Sequence, residues 1–433
     1  MSNLVIGFAG FFAIVTLIGL RFQVGLALII VAFSGLALVT NVDIALSMLR
    51  VLPYDFVANW DLSAVPMFLL MGAIAHRSGM TASLFEVARL WFSRLPGGLA
   101  VATNFACAGF ASASGSSLAT TMAIGRITIP EMRKYGYDPG LSAGIVACGG
   151  TLGVLIPPSI FLVIYGIFAE VSIAALFMAG VVPGLLTAII YFAQIVLRCW
   201  LNPALAPPVP DHPTWSERLG ALRTIWPLPL LILAVIGGIY SGIATPTEAG
   251  ALGAFLALLI AIVQRRMSFI NFRQAARESI LATASIFFVA IGAVLLTRFM
   301  AFSGVPAFLA GLVADYSVNV VTMILVTMVI YLVLGMFLDP LGMMLLTLPV
   351  MLPMFETAGM NLVWFGILMV KFIEIGLITP PVGLNVYAVK ILAPDYRLQD
   401  IFRGALWFLL AEAFIIALLI GFPQITLFLP GIM

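Results

Sequence analysis

Apolar residues come in blocks long enough to cross a bilayer as helices, near 3–20, 22–40, 60–77, 141–168, 172–197, 226–243, 246–264, 281–300, 362–392 and 404–422. Two of these blocks are interrupted by adjacent prolines, in "GVLIPPSI" (153–160) and "EIGLITPPVG" (374–383). Proline lacks the N–H a helix needs and clashes with the preceding turn, so both blocks are predicted as broken helices. Two further apolar regions, 97–130 and 307–353, carry Gly, Ser or Pro at their middle and are predicted as re-entrant hairpins, each two half-helices that enter and leave by one face. The first tip is "ASASGSSLATT" (111–121); the second is "GMFLDPLGMM" (335–344), with Asp339 near its turn.

The broken elements pair up at one offset. A shift of 223 carries Pro157 onto Pro380 and Pro158 onto Pro381. The same shift carries Pro130, Gly136 and Gly153 onto Pro353, Gly359 and Gly376, and Ser112 onto Gly335. Interrupted hydrophobic segments at corresponding places in two halves mark the binding region of a secondary transporter. A break at membrane depth leaves carbonyls without N–H partners, at several kcal/mol each. A hard cation such as Na⁺ satisfies them without adding a trapping charge. Glycine and serine also serve simply to pack membrane helices closely.

Composition fixes the solvent: 63% of the 433 residues are hydrophobic, 9% are charged and the mean hydropathy is +1.19. The chain is a polytopic membrane protein, since soluble domains are about a quarter charged. A net charge of +2 leaves no footprint for nucleic acid. The run from Leu4 to Leu20, followed at once by Arg21 and a second span, reads as a first helix and not as a cleaved leader. Threading the spans gathers most basic residues, from Arg21, Arg77 and Arg133 to Arg198, Arg273 and Arg403, on one side. The positive-inside rule makes that side cytoplasmic and both termini periplasmic. The Pro-rich connector 200–226 is cytoplasmic, and its second part reads as an interfacial helix anchored by Trp215 and Trp226.

Candidate chemistry is sparse. Cys107, Cys148 and Cys199 are widely spaced in apolar sequence and read as buried small hydrophobes. With two histidines in the chain, metal and His-based catalytic constellations lack material, and the serine-rich first tip has no base. No enzyme is expected. A proton carrier needs acids along a path, for which Asp339 and Glu374 are thin material. Lys371 and Glu374, three apart, are spaced to neutralise each other. Glu248 reads as a helix cap. His76, beside Arg77 at a helix end, reads as an interface residue.

The stretches "GSSLATTMAIGRITIPEMRKYGYDPGLSAGIVACGGTLGVLIPPSIFLVIYG" (115–166), "GIATPTEAGALGA" (242–254) and "IEIGLITPPVGLNVY" (373–387) resemble the large membrane subunit of the tripartite ATP-independent periplasmic (TRAP) transporters, over nearly the whole chain. The resemblance implies an all-α, inverted-repeat, elevator-type membrane protein. Scaffold helices would occupy 1–95 and 172–306, transport-domain hairpins with broken helices 96–171 and 307–395, and a terminal helix 396–433. It implies Na⁺-coupled import of an organic acid, such as a C4-dicarboxylate or sialic acid, across the bacterial inner membrane. Its partners would be a small four-helix membrane subunit and a periplasmic substrate-binding protein. One sodium site would use Ser112, Ser114, Gly153, Ile156 and Pro158; the other Gly335, Gly376, Thr379 and Val382. An anion pocket would be lined by Ser116, Ser117, Ser159 and Asn385. Arg126 departs from the family's small or polar residue, and either binds a substrate carboxylate or snorkels to the cytoplasmic face.

Overall fold

Helix starts are set by capping residues. Ser116, Asp138, Ser159, Thr245, Asp339 and Asn361 each stand one residue before a helix and accept a bond from its first-turn N–H groups. Such caps contribute about 0.5–2 kcal/mol each. At Thr245 the cap is reciprocal, because Glu248 reaches back to the Thr245 N–H at 2.8 Å, as its position suggested. The computed structural model describes residues 2–209, 213–316, 318–336 and 338–432, and no strand occurs among them. Positions 210–212 of the connector and 337 of the second tip lie outside the described residues.

The first half comprises α1 (Asn3–Gly19), α2 (Val24–Val39), α3 (Val42–Val57), α4 (Ala64–Arg77), α5 (Met80–Phe92), α6 (Gly98–Ser114), α7 (Ser117–Lys134), α8 (Pro139–Leu155), α9 (Ile160–Phe168) and α10 (Ile173–Leu201). The connector carries α11 (Trp215–Ile225). The second half comprises α12 (Pro227–Tyr240), α13 (Pro246–Val263), α14 (Phe269–Ser303), α15 (Val305–Asp315), α16 (Val320–Gly335), α17 (Pro340–Thr357), α18 (Leu362–Gly376), α19 (Leu384–Leu392) and α20 (Leu398–Gly421).

The repeat runs through the whole chain. Helices α7 and α17 start at 117 and 340, and α8 and α18 at 139 and 362, both 223 apart. Helices α6 and α16 start at 98 and 320, and α10 and α20 at 173 and 398, offsets of 222 and 225. Contacts follow the repeat reciprocally: α2 packs on α14, and its counterpart α13 packs on α4, the counterpart of the second half of α14. Helices α8 and α9 meet at 42° across the first break. The peptides Pro157–Pro158 and Pro380–Pro381 are both cis.

The expected spans recur as helices, with differences. Helices α3 and α5 were not anticipated, because Asp43, Arg50 and Asp55 in one and Glu86 and Arg89 in the other dilute their apolar runs. The region 307–353 holds three helices; α16 and α17 form the second hairpin, while α15 is the counterpart of α5. The expected span 281–300 lies in the C-terminal part of the longer α14.

The core lies along the broken helices. Every residue from Gly140 to Leu155 and from Trp364 to Gly376 is buried. Helix α20 lies directly on α8 through facing glycines: a Cβ added to Gly404 would stand 1.8 Å from the Gly140 carbonyl oxygen. Helix α10 packs against α6, α18 and α20. Thus α10 and α20, set by sequence with the scaffold and as a separate terminal helix, lie against the broken helices. The three cysteines are buried and unpaired, as expected.

Candidate functional site

The first hairpin turns at Gly115, whose φ of +59° is a left-handed conformation that glycine adopts without penalty. Space demands glycine there as well, because an added Cβ would lie 2.8 Å from the Pro158 carbonyl oxygen. The hairpin tip therefore rests on the break between α8 and α9. A second close approach seals the contact: a Cβ on Gly153 would meet the Ser116 carbonyl oxygen at 2.7 Å and Thr120 Oγ1 at 2.8 Å. Pro157 and Pro158 supply no N–H to the carbonyls of Gly153 and Val154, four residues earlier. Ser114 Oγ and Thr120 Oγ1 are hydrogen-bonded at 2.8 Å beside them, and Ser112 Oγ donates to the Gly109 carbonyl at 2.7 Å. Ile156 is the C-cap of α8 and packs against Gly184 of α10. Oxygen dominates this junction, which suits a hard cation.

The second hairpin meets its broken helix through Gly335 and Gly376. A Cβ on either would come within 2.8–3.0 Å of the other's Cα. After Gly376 the chain unwinds, with half-buried Val382 between Pro381 and Gly383. Gly383 has a φ of +61°, and the carbonyl oxygens of Thr379 and Leu377 lie 3.3 and 3.4 Å from where its Cβ would be. Thr379 Oγ1 donates to the Ile375 carbonyl at 2.6 Å, which leaves its lone pairs as acceptors. Asp339 caps α17, accepting from the Gly342 N–H at 3.0 Å.

A cavity of about 580 Å³ opens between the first hairpin and helices α4 and α14. Ser114, Ser116 and Arg126 line one wall; Gly72, His76, Asn271 and Glu278 are among those on the other. Ser116 and Arg126 are ten residues apart on α7, so the wall is about 15 Å deep. Arg126 is exposed to the cavity and makes no ion pair with the described residues. Arg77 is engaged, its guanidinium gripping both Glu278 oxygens and donating to Gln274 at 2.5 Å. Sequence reasoning missed His76 as a wall residue; its ring lies 5.9 Å from that of Phe110, against the hairpin.

The expected anion-pocket residues separate. Ser116 is on the cavity wall. Ser117, Ser159 and Asn385 are buried and are not among the lining residues. Asn385 Nδ2 donates to Ser117 Oγ at 2.6 Å and to the Ala147 carbonyl at 3.0 Å, so α19 is tied to α7 and α8 of the other half. Ser159 Oγ accepts from the Leu162 N–H as the cap of α9. Ser117 and Asn385 thus join the first hairpin to α19 on its buried side, while Ser159 serves its own helix.

A charged cluster lies deeper. Lys371, with no solvent exposure, donates to Glu374 at 2.7 Å and to Glu412 at 2.9 Å. Tyr191 donates to Glu412 at 2.6 Å, so α18, α20 and α10 are joined through one ammonium and two carboxylates. The anticipated Lys371–Glu374 pair is present; the third member comes from a helix 41 residues away and has no local signal.

Residues 11–425 match the family described as "Tripartite ATP-independent periplasmic transporter, DctM component". The chain belongs to this family, as its large permease. It is 36% identical over 375 residues to the C4-dicarboxylate TRAP transporter large permease of Pseudomonas aeruginosa, covering 86% of this chain and 87% of that one. The sialic acid large permease of Vibrio cholerae is 31% identical over 94% of both chains. The ectoine large permease of Halomonas elongata is 34% identical, over 85% of this permease and 86% of its own length. These relatives are transporter subunits and not enzymes. Among solved structures, the YdaH transporter of Alcanivorax borkumensis shares the fold, with a TM-score of 0.64 at 14% identity, covering 89% of this permease and 90% of that chain.

Proposed function

We propose that this permease imports a small organic acid, a C4-dicarboxylate or sialic-acid-like carboxylate, driven by an inward Na⁺ gradient. It would act in the bacterial inner membrane with both termini periplasmic, beside a small four-helix subunit, and receive substrate from a periplasmic binding protein. The observation that carries the reading is the pair of hairpin junctions at the offset-related Gly153 and Gly376, the first against Ser116 and Thr120 and the second against Gly335, each four residues before a Pro-Pro break. There the carbonyls of the interrupted helices would serve as ligands for sodium: those of Gly153 and Val154, denied an i+4 donor by the prolines, and those of Gly376 and Leu377, which accept one N–H each, from Thr379 and Asn385, and keep a second lone pair. The first site draws on Ser112, Ser114, Gly153, Ile156 and Pro158, the second on Gly335, Gly376, Thr379 and Val382.

Sodium binding at the junctions orders both hairpin tips and so fixes Ser114 and Ser116 at the cavity end. Arg126, on the same wall and without an ion pair among the described residues, supplies a bidentate partner for a carboxylate. The hairpins and broken helices then slide as a unit against α4 and α14, and the cavity between them opens to the arginine-rich side. Relatives are named for C4-dicarboxylates and for sialic acid, both of them acids that the Arg126 wall suits. Uptake by the full three-part system against a panel of labelled organic acids tests this. The reading expects saturable uptake of at least one carboxylate and loss of it in Arg126→Ala at low concentration. Uptake of neutral solutes only would remove it.

The Glu374–Lys371–Glu412 cluster favours a second reading, proton coupling, since it holds one more acid than base. Uptake driven by a pH gradient with sodium absent would favour that alternative.

A further inference from the structure

Helices α10 and α20 run antiparallel, as the pairs Tyr191–Glu412 and Gln194–Trp407 show, and leave a groove of about 890 Å³ between them. Its lower wall is apolar and faces outward, Leu410 being 66% exposed and Phe414 57%, and Leu197, next to Arg198, is 54% exposed. Its upper end is basic, with Arg198 from α10 and Arg403 from α20. The Arg198 guanidinium lies 4.5 Å from the Trp407 ring centroid, yet its Nη1 is buried with no hydrogen-bond partner. Gln194 donates to the Trp407 carbonyl at 2.5 Å, and its own Oε1 is also buried and unpartnered. Asp138, at the same end, is occupied in capping α8 through the Leu141 N–H at 2.8 Å. The site reading of the cavity uses none of these groups.

An orphaned, buried guanidinium N–H costs free energy until an acceptor reaches it. From Arg403 to Phe414 is eleven helical residues, about 16 Å, close to half of the ~30 Å hydrocarbon core. A groove of that length would span one leaflet, and cations at its end would then lie at the level of the phosphates. We propose that it binds one anionic phospholipid, whose phosphate engages Arg198 and Arg403 and whose acyl chain lies along Leu197, Leu410 and Phe414. A partner's apolar helix would fill the wall but bring no acceptor to the two guanidinium groups; a lipid brings an acyl chain to the wall and phosphate oxygens that accept from both arginines.

The test is native mass spectrometry of the detergent-purified full chain titrated with phosphatidylglycerol or phosphatidylethanolamine. One phosphatidylglycerol should be retained at least tenfold better than phosphatidylethanolamine. Arg198→Gln with Arg403→Gln should abolish that preference, while Arg273→Gln with Arg277→Gln, an exposed pair on α14, should keep it. Leu410→Trp fills the groove at an exposed position with both arginines intact, and should also expel the lipid. Equal retention by the wild type and the Arg198/Arg403 variant would overturn the proposal. So would equal retention of the two lipids, displacement by glycerol phosphate at matching concentration, or a wild-type protein that holds no lipid because the groove belongs to a protein helix.

Discussion

Lys371 lies buried in the centre of the molecule within hydrogen-bonding reach of Glu374 and Glu412, and that placement has a measurable consequence. Removing one member of a buried ion cluster leaves uncompensated charge and costs about 3–5 kcal/mol. Lys371→Met strands two carboxylates on α18 and α20 and should lose folded protein in a thermal size-exclusion assay. Glu374→Gln, which leaves one acid for one base, should retain most of it; equal losses would show that the charge balance is not what matters. At the cavity wall, Arg126→Ala deletes a charged hydrogen bond of about 1.5–3 kcal/mol, so half-saturation should rise about tenfold or more. Unchanged kinetics there would mean that the guanidinium only snorkels. Thr379→Ala should raise the sodium concentration for half-maximal uptake, with Thr379→Ser restoring it. An identical activation curve in the alanine variant would take the hydroxyl out of the sodium site.

Among the elements, the contact between hairpin and broken helix is made by backbone. Gly335 and Gly376 have no room for a Cβ, and the nearest neighbour of each is the other's main chain, which cannot swing aside. Gly335→Ala should therefore hold the second hairpin off its partner and cut uptake severely while the chain still folds, as judged by a monodisperse elution profile. Normal uptake would show that this junction is not part of the cycle. The proline breaks, the hairpin tips and their offset were legible in the sequence because Gly and Pro act locally and do not depend on tertiary context. Helix α3 was not, because Asp43, Arg50 and Asp55 interrupt its apolar run at positions that the fold leaves exposed. Glu412 and His76 were also illegible as site residues: each gains its role from a helix distant in sequence, α18 for one and the first hairpin for the other. Ser117 and Asn385 looked like pocket residues for their chemistry, and only packing shows them buried and bonded to each other.

Across the whole molecule, the repeat sets two hairpins and two broken helices into one block, with α10 and α20 packed upon it. Helices α4 and α14 face that block across the cavity. If the block moves, a covalent link across the boundary must stop it. His76 of α4 and Phe110 of the first hairpin face each other across that boundary with ring centroids 5.9 Å apart. In a background lacking the three native cysteines, His76→Cys with Phe110→Cys, bridged by a short reducible bis-thiol reagent, should lose uptake and regain it when the bridge is reduced. Uptake that persists in the bridged protein would argue for a fixed boundary. The most direct test of the whole account is uptake by the reconstituted three-part system with external Na⁺ replaced by K⁺ at constant membrane potential. The account predicts that accumulation against a gradient collapses in K⁺ and returns with Na⁺; undiminished accumulation in K⁺ would contradict it.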